Sequence, residues 1–118
     1  MKVLICGDRN YKNVEMIRAW LSKLQDWGYT TLIEGEAKGA DSIARDEARR
    51  IGLEVEPYPA QWDKYGRSAG PIRNRAMLTE GKPDLVVAFH TDIEKSKGTK
   101  NMLEISEKAG VNTILVSK

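Results

Sequence analysis

Gly35-Glu36-Ala37-Lys38-Gly39-Ala40-Asp41 stands between the strand-like run Thr30-Thr31-Leu32-Ile33 and a helical stripe of Ala40, Ile43, Ala44, Ala48 and Ile51. A β-like run, a turn of small and basic residues and a helix start recur at Gly7-Asp8-Arg9, Ala69-Gly70-Pro71-Ile72-Arg73-Asn74 and Lys97-Gly98-Thr99. Strands alternating with helical patterns of about 10–15 residues require right-handed crossovers and a parallel sheet covered on both faces. The expected fold is therefore α/β: a single Rossmann-like three-layer domain over residues 1–118, with a mostly parallel five-stranded sheet.

Working outward, Val3-Leu4-Ile5-Cys6 ends at Gly7 and reads as a strand buried on both faces. Val14, Ile17, Leu21 and Leu24 have helical spacing over 13–27, with Asn13 as N-cap and Gly28 as the stop. Leu53-Glu54-Val55-Glu56 forms the third strand, closed by Pro57 and Pro59. A helix starts near Ala69–Pro71, where proline suits the first turn, and ends by Gly81. Residues 84–89 form the next buried strand, 99–109 the last helix and 111–116 the last strand. The segment 58–68 lacks periodicity and is expected to be a functional loop.

A chain of 118 residues with 41% hydrophobic content can bury a core without metals or disulfides. Its 19 basic and 17 acidic residues leave a formal charge of +2, too small to drive duplex DNA binding, so any attraction for phosphate is local. The lone Cys6, in an apolar run, reads as a buried small residue in a reducing compartment; a catalytic thiol is the minority reading. The N-terminal apolar run is too short for a signal sequence or a membrane span, so a soluble, cytoplasmic protein without membrane partners is expected. No Cys/His cluster suits zinc, the acidic residues form no metal pattern, and Gly-x-Gly-x-x-Gly is absent, so no metal or dinucleotide cofactor is expected.

Helix N-termini at the carboxyl edge of a parallel sheet offer unpaired N–H groups to anions, phosphate above all. At that edge Gly7 permits close backbone approach and Arg9 offers a planar fork of donors; the plainer alternative is a turn and a solvated charge. Gly35, Ala37 and Gly39 leave room for a ligand, and Lys38 reads either as the charged contact to phosphate or as a solvated loop lysine. Asp41 reads either as a ligand contact or, more simply, as a helix cap. Trp62 offers a face to a base or pins the loop to the core. Arg73 and Asn74 fall in a helix's first turn, where a positive charge opposes the helix dipole and points either to a nearby anion or to an ordinary ion pair. Gly98 and Thr99 resemble a phosphate cradle, with a simple cap by Thr99 as the alternative. His90, the only histidine, follows the fourth strand and is a candidate either for structure or for proton transfer.

The ordered set Gly7-x-Arg9, Gly35-x-Ala37-x-Gly39-Ala40-Asp41, Pro59-Ala60-x-Trp62, Ala69-Gly70-x-x-Arg73-Asn74-x-x-Met77 and Gly98-Thr99 closely resembles the YspA (cpYpsA-related) branch of the SLOG superfamily. The resemblance implies a Rossmann-like fold that binds nucleotides or nucleotide-derived ligands, with the LOG phosphoribohydrolases and DprA among its relatives. For the phosphoribohydrolases it implies cleavage of a base–ribose bond by an arginine and a glutamate beside a phosphate loop. Arg73 looks like that arginine and Gly98-Thr99 like the end of that loop. Asn101 stands where the glutamate falls, Glu104 lies one helical turn farther on, and a loop containing Lys95 to Lys97 replaces Pro-Gly-Gly. Asp8 adds a negative charge where relatives often carry a small residue.

The leading expectation is a module that senses, sequesters or processes a phosphorylated, nucleotide-derived small molecule at the carboxyl edge of the sheet. The ligand is held by Arg9, Lys38, Arg73 and the Gly98-Thr99 loop, with Trp62 over the base. The first alternative is a nucleoside 5′-monophosphate N-glycosidase, with Arg73 and Glu104 as its weak catalytic candidates. The second is single-stranded nucleic-acid binding as in DprA, against which the near-neutral charge counts. Trp20 and Trp27, seven residues apart beside the first helix's apolar stripe, either extend it into a homodimer patch or complete the core.

Overall fold

The computed structural model describes residues 1–118. Its elements run β1 (Lys2–Gly7), α1 (Val14–Asp26), β2 (Thr31–Glu34), α2 (Ala40–Arg50), β3 (Glu54–Pro57), α3 (Trp62–Tyr65), α4 (Ala69–Thr79), β4 (Leu85–Phe89), α5 (Gly98–Lys108) and β5 (Asn112–Val116). All five strands are parallel, in the order β3-β2-β1-β4-β5. The doubly wound sheet expected from the alternating patterns is thus present, with every strand parallel.

Side-chain alternation along the strands divides the core between the two faces of the sheet. Val3 and Ile5 point to one face, where they meet Ile17, Leu21 and Leu24 of α1 and Ala40, Ala44 and Ala48 of α2. Leu4 and Cys6 point to the other, against Met77 of α4 and Met102 of α5. Both faces of β1 and β4 are covered, which is why their sequences read as unbroken apolar runs. Each fully buried Leu or Ile contributes about 1.5–3 kcal/mol relative to an exposed one. No helix is long and apolar enough to cross a membrane.

Local signals fix most element ends. The Asn13 side chain accepts a hydrogen bond from the Met16 N–H at 3.1 Å, and Gly28 leaves α1 with φ +98°. Pro57, which cannot donate to a ladder, ends the edge strand β3, and the Tyr58 N–H takes over by donating to the Glu34 carbonyl at 2.8 Å. Residues 58–68 depart from the expected loop. The Gln61 carbonyl accepts from the N–H groups of both Lys64 and Tyr65, winding α3, and a 3-10 turn over Gly66–Ser68 leads into α4. A single helical turn is too short to leave a periodic apolar stripe in sequence.

The two indoles beside α1 differ. Trp20 packs against the core with the Lys23 ammonium 5.0 Å from its ring centre, whereas Trp27 is 54% exposed.

Candidate functional site

The sheet order reverses between β1 and β4, where successive crossovers depart to opposite faces and leave a crevice beyond the carboxyl ends of the strands. Gly7 pairs with Phe89 at that edge, so the residues that follow them, Asp8 and His90, stand side by side. A cleft of about 530 Å³ opens here. Its walls come from the turn after β1 (Asp8, Arg9, Asn10), the start of α4 (Arg73, Asn74) and the loop into α5 (Lys95 to Thr99), with Trp62 and Arg67 at the rim. Five cations (Arg9, Arg67, Arg73, Lys95 and Lys97) meet two carboxyl groups (Asp8 and Asp41), so the cleft is basic although the chain is nearly neutral.

Arg73 is anchored on two sides. Nη1 donates to the Gly35 carbonyl and Nε to Asn74 Oδ1 at 2.9 Å, leaving Nη2 without a protein partner. Burial lowers its ordinarily very high pKa, an effect that neighbouring Asp41 opposes and Arg9 reinforces. A guanidinium nevertheless stays charged in proteins, so a partly buried one at a cleft favours an anionic companion. The Asn74 amide donates to Asn101 Oδ1 at 3.1 Å and more weakly to the Gly98 carbonyl at 3.4 Å. These bonds lock the second turn of α4 to the first turn of α5; with α4 starting at Ala69, Arg73 and Asn74 lie beyond the first turn in which the sequence placed them.

At the start of α5 the Ser96 hydroxyl accepts the Thr99 N–H at 3.0 Å, and the Asn101 N–H returns to the Lys97 carbonyl. The capping hydroxyl is that of Ser96, one residue before the N-cap Lys97, rather than that of the buried Thr99. The N–H groups of Gly98 and Lys100 have no protein partner, the usual condition of a helix's first turn.

Asp41 does not cap α2. The N-cap is Gly39, at φ +75° and without a side-chain cap, while Asp41 turns back and accepts from the N–H groups of Gly35 (3.1 Å) and Ala37 (3.3 Å). Burial pushes its carboxyl up to about 6, against the opposing pull of Arg73 and those two N–H groups. Glu34, a residue to which the sequence drew no attention, is fully buried on the same loop. Its Oε1 accepts the Glu36 N–H at 2.8 Å, its Oε2 has no partner, and burial pushes its carboxyl up to about 8.

The expected site residues divide into distinct groups. Gly7, Arg9, Ala37, Asp41, Trp62, Arg73, Asn74, Gly98 and Thr99 all line the cleft. Gly35 and Lys38 instead line an adjoining depression of about 380 Å³, which shares Arg9, Ala37, Trp62 and Arg73 with the cleft. Trp62 is 49% exposed, with the Arg9 guanidinium carbon 5.9 Å from its ring centre, so it is not pinned into the core. Gly39 lines neither concavity.

The glycines correct a second expectation. A Cβ at Gly7 would lie 2.3 Å from the Phe89 carbonyl oxygen, one at Gly39 2.2 Å from that of Asp8, and one at Gly35 2.6 Å from Arg73 Nη1. The room left by these three is filled by the chain itself. Gly98 alone of the site glycines faces open space, with nothing within 4 Å of such a Cβ.

Glu104 is exposed and lines neither concavity, whereas Asn101, three residues earlier, lines the cleft. Glu104 is therefore in no position to act there, and the hydrolytic reading loses its proposed carboxylate. Burial pushes the Cys6 thiol far up, which leaves it an unreactive packing group. Arg67, Lys95 and Lys97 complete the basic wall and Asn101 adds a neutral amide; their signal in the sequence was proximity to Trp62 or to the start of α5.

A parallel sheet with a basic cleft at its switch point defines a Rossmann-like α/β protein whose site lies where such folds receive anionic ligands. The profile described as YAcAr, the YspA, cpYpsA-related SLOG family, matches residues 1–65. The chain belongs to that family. It is 33% identical over 120 residues to the Gene 61 protein of Mycobacterium phage D29, covering 96% of this chain and 94% of that one. In fold it is similar to DNA processing protein A (DprA) from Streptococcus pneumoniae, with a TM-score of 0.77 at 16% identity over 97% of this chain. The chain spans about half of that structure, 49% of its length.

Proposed function

We propose that the switch-point cleft binds a nucleotide or a nucleotide-derived phosphorylated small molecule. One observation carries this reading. The free Nη2 of Arg73, the unpartnered N–H group of Gly98, and the side chains of Arg9, Arg67, Lys95 and Lys97 belong to one basic concavity. Its volume suits a small organic phosphate. Phosphate is held between α4 and α5, and the half-exposed indole of Trp62 stacks on the base. SLOG membership supports a nucleotide-type ligand.

Thermal-shift and calorimetric titration with nucleoside 5′-mono-, di- and triphosphates and inorganic phosphate tests this. Arg9 and Arg67 are exposed, so Arg9→Ala and Arg67→Ala leave the fold intact and report on charge alone. Stabilisation by phosphorylated nucleosides, reduced in both variants and by added salt, is the expected result. A melting temperature that none of these compounds raises rejects the reading.

A further inference from the structure

We infer that Asp8 and His90 together form a receptor for a ribose hydroxyl, so that the ligand is a ribonucleotide rather than a deoxyribonucleotide or a bare phosphate. This rests on the phosphate-site reading above and deepens it. Of the two carboxyl groups in this basic cleft, Asp41 is engaged by the Gly35 and Ala37 N–H groups, whereas Asp8 turns Oδ2 toward His90 and repels any phosphate brought next to it. Its presence calls for a hydrogen-bond donor on the ligand.

Both groups are held rigidly. The Asp8 N–H donates to the Phe89 carbonyl at 3.0 Å, and the Asp8 carbonyl accepts from Tyr11 and Ala40. The Asp8 Oδ1 accepts the Asn10 N–H at 3.0 Å, which leaves Oδ2 toward His90. His90 is only 8% exposed, and its backbone N–H donates to the Val116 carbonyl at 3.0 Å. Its Nδ1 accepts the Asp92 N–H at 2.9 Å, so the ring proton of the neutral imidazole resides on Nε2. His90 is thereby a fixed donor, and protonating Nδ1 means giving up that bond; general-base chemistry is not what this ring is set to do.

Nε2 and Oδ2 stand 3.9 Å apart, too far for a hydrogen bond to each other. A hydroxyl oxygen at an ordinary distance of about 2.8 Å from each atom closes the gap, accepting from Nε2–H and donating to Oδ2. A fully ionised phosphate has no proton to donate to Oδ2, a protonated one still sets its negative charge against that carboxylate, and a base amino group is a poor acceptor for Nε2–H. Among the parts of a nucleotide, the sugar diol satisfies both atoms at once.

The test is calorimetric titration of 5′-AMP and 5′-GMP against their 2′-deoxy and 3′-deoxy counterparts and against inorganic phosphate. It is run on the parent protein, Asp8→Asn and His90→Asn. Asparagine at position 8 keeps an oxygen for the Asn10 N–H, and asparagine at position 90 keeps an acceptor for the Asp92 N–H, so both variants are built to fold. The parent is expected to favour the ribonucleotide over at least one deoxy analogue about tenfold, the scale of one hydrogen bond to a charged group. Both variants should bring that ratio close to one, and Asp8→Asn should bind inorganic phosphate more tightly than the parent. Equal affinity of the parent for ribo and deoxy forms, or a preference that survives Asp8→Asn, overturns the hydroxyl assignment while leaving the phosphate site standing. Absence of binding by every nucleotide and by phosphate overturns both.

Discussion

Asp41 and Arg73 hold opposite ends of one residue's backbone. Asp41 Oδ2 accepts the Gly35 N–H at 3.1 Å, and Arg73 Nη1 donates to the Gly35 carbonyl. An acid on α2 and a base on α4, on opposite faces of the sheet, thereby clamp the turn after β2 and fix the orientation of the guanidinium at the cleft. The clamp requires glycine, because a side chain at position 35 would meet Arg73 Nη1 at 2.6 Å and Asp41 Oδ2 at 3.0 Å.

Two glycine substitutions should separate fold from ligand. Gly35→Ala forces the Arg73–Asp41 clamp apart and should lower stability by about 1–3 kcal/mol, the usual penalty for overpacking, with nucleotide affinity falling alongside. Gly98→Ala meets open space in a helix's first turn and should leave stability unchanged or raise it by up to about 1 kcal/mol. If the open space at Gly98 admits phosphate, the same variant weakens binding. Urea denaturation and calorimetric titration of the two variants give the four numbers; a stable Gly35→Ala protein, or full affinity in Gly98→Ala, contradicts the corresponding half.

Glu34 should make the protein less stable as pH rises. Its folded carboxyl is raised from 4.5 to about 8, so between these values the folded state holds a proton that the unfolded state has released. Stability from this group therefore falls as pH climbs through that window and levels off above it. Asp41, raised from 3.8 to about 6, acts in the same direction but is spent by about pH 6, which isolates Glu34 at higher pH. Glu34→Gln removes the proton uptake, and its stability relative to the parent should grow from pH 6 to pH 8.5. Urea midpoints at those pH values decide, and a constant difference rules out the buried, protonated state.

The strand and helix order was legible because the inner strands are covered on both faces and α1, α2 and α5 each carry one apolar stripe. β1 and β4 announced themselves as apolar runs, α1 and α2 by helical spacing. The edge of the sheet that holds the site was equally legible, because parallel topology sends every βα turn to it. Individual roles were less so. Asp41 has the composition of a cap, and only the left-handed turn at Gly39 sends its carboxylate back to the loop. A glutamate ending a strand reads as solvated, so the full burial of Glu34 was invisible before α2 was placed over it. Asp8 became intelligible once the Gly7–Phe89 pairing set it beside His90. Glu104 failed because one turn beyond Asn101 carries it about 4.5 Å farther along α5, and the cleft takes residues of α5 only as far as Met102.

Trp20 and Trp27 should respond oppositely to the same change. Trp20 packs on the core, so Trp20→Glu removes apolar burial and should cost on the order of 1–3 kcal/mol. Trp27 is 54% exposed, and Trp27→Glu should stay within about 0.5 kcal/mol of the parent. An exposed indole of that size is also the surface through which a second copy of the chain is proposed to dock. Light scattering across a concentration series should show any self-association of the parent weakened in Trp27→Glu, and a dimer indifferent to that substitution uses another face.

Arg73 and Trp62 should divide the recognition of a nucleotide between them. Arg73 presents a free Nη2 in the cleft that Gly98 also lines, and charge-assisted bonds to phosphate do not depend on which base the ligand carries. Arg73→Ala should therefore cost about 1.5–3 kcal/mol of binding for adenine, guanine and pyrimidine nucleotides alike. Because the residue also clamps Gly35, affinities must be measured well below the variant's own melting temperature. Trp62 is proposed to meet the ligand through its ring, and stacking grows with the size of the base, so Trp62→Ala should reduce purine affinity more than pyrimidine affinity. Calorimetry on nucleoside 5′-monophosphates of equal charge reads both effects. A base-dependent loss in Arg73→Ala together with a uniform loss in Trp62→Ala reverses the assignment.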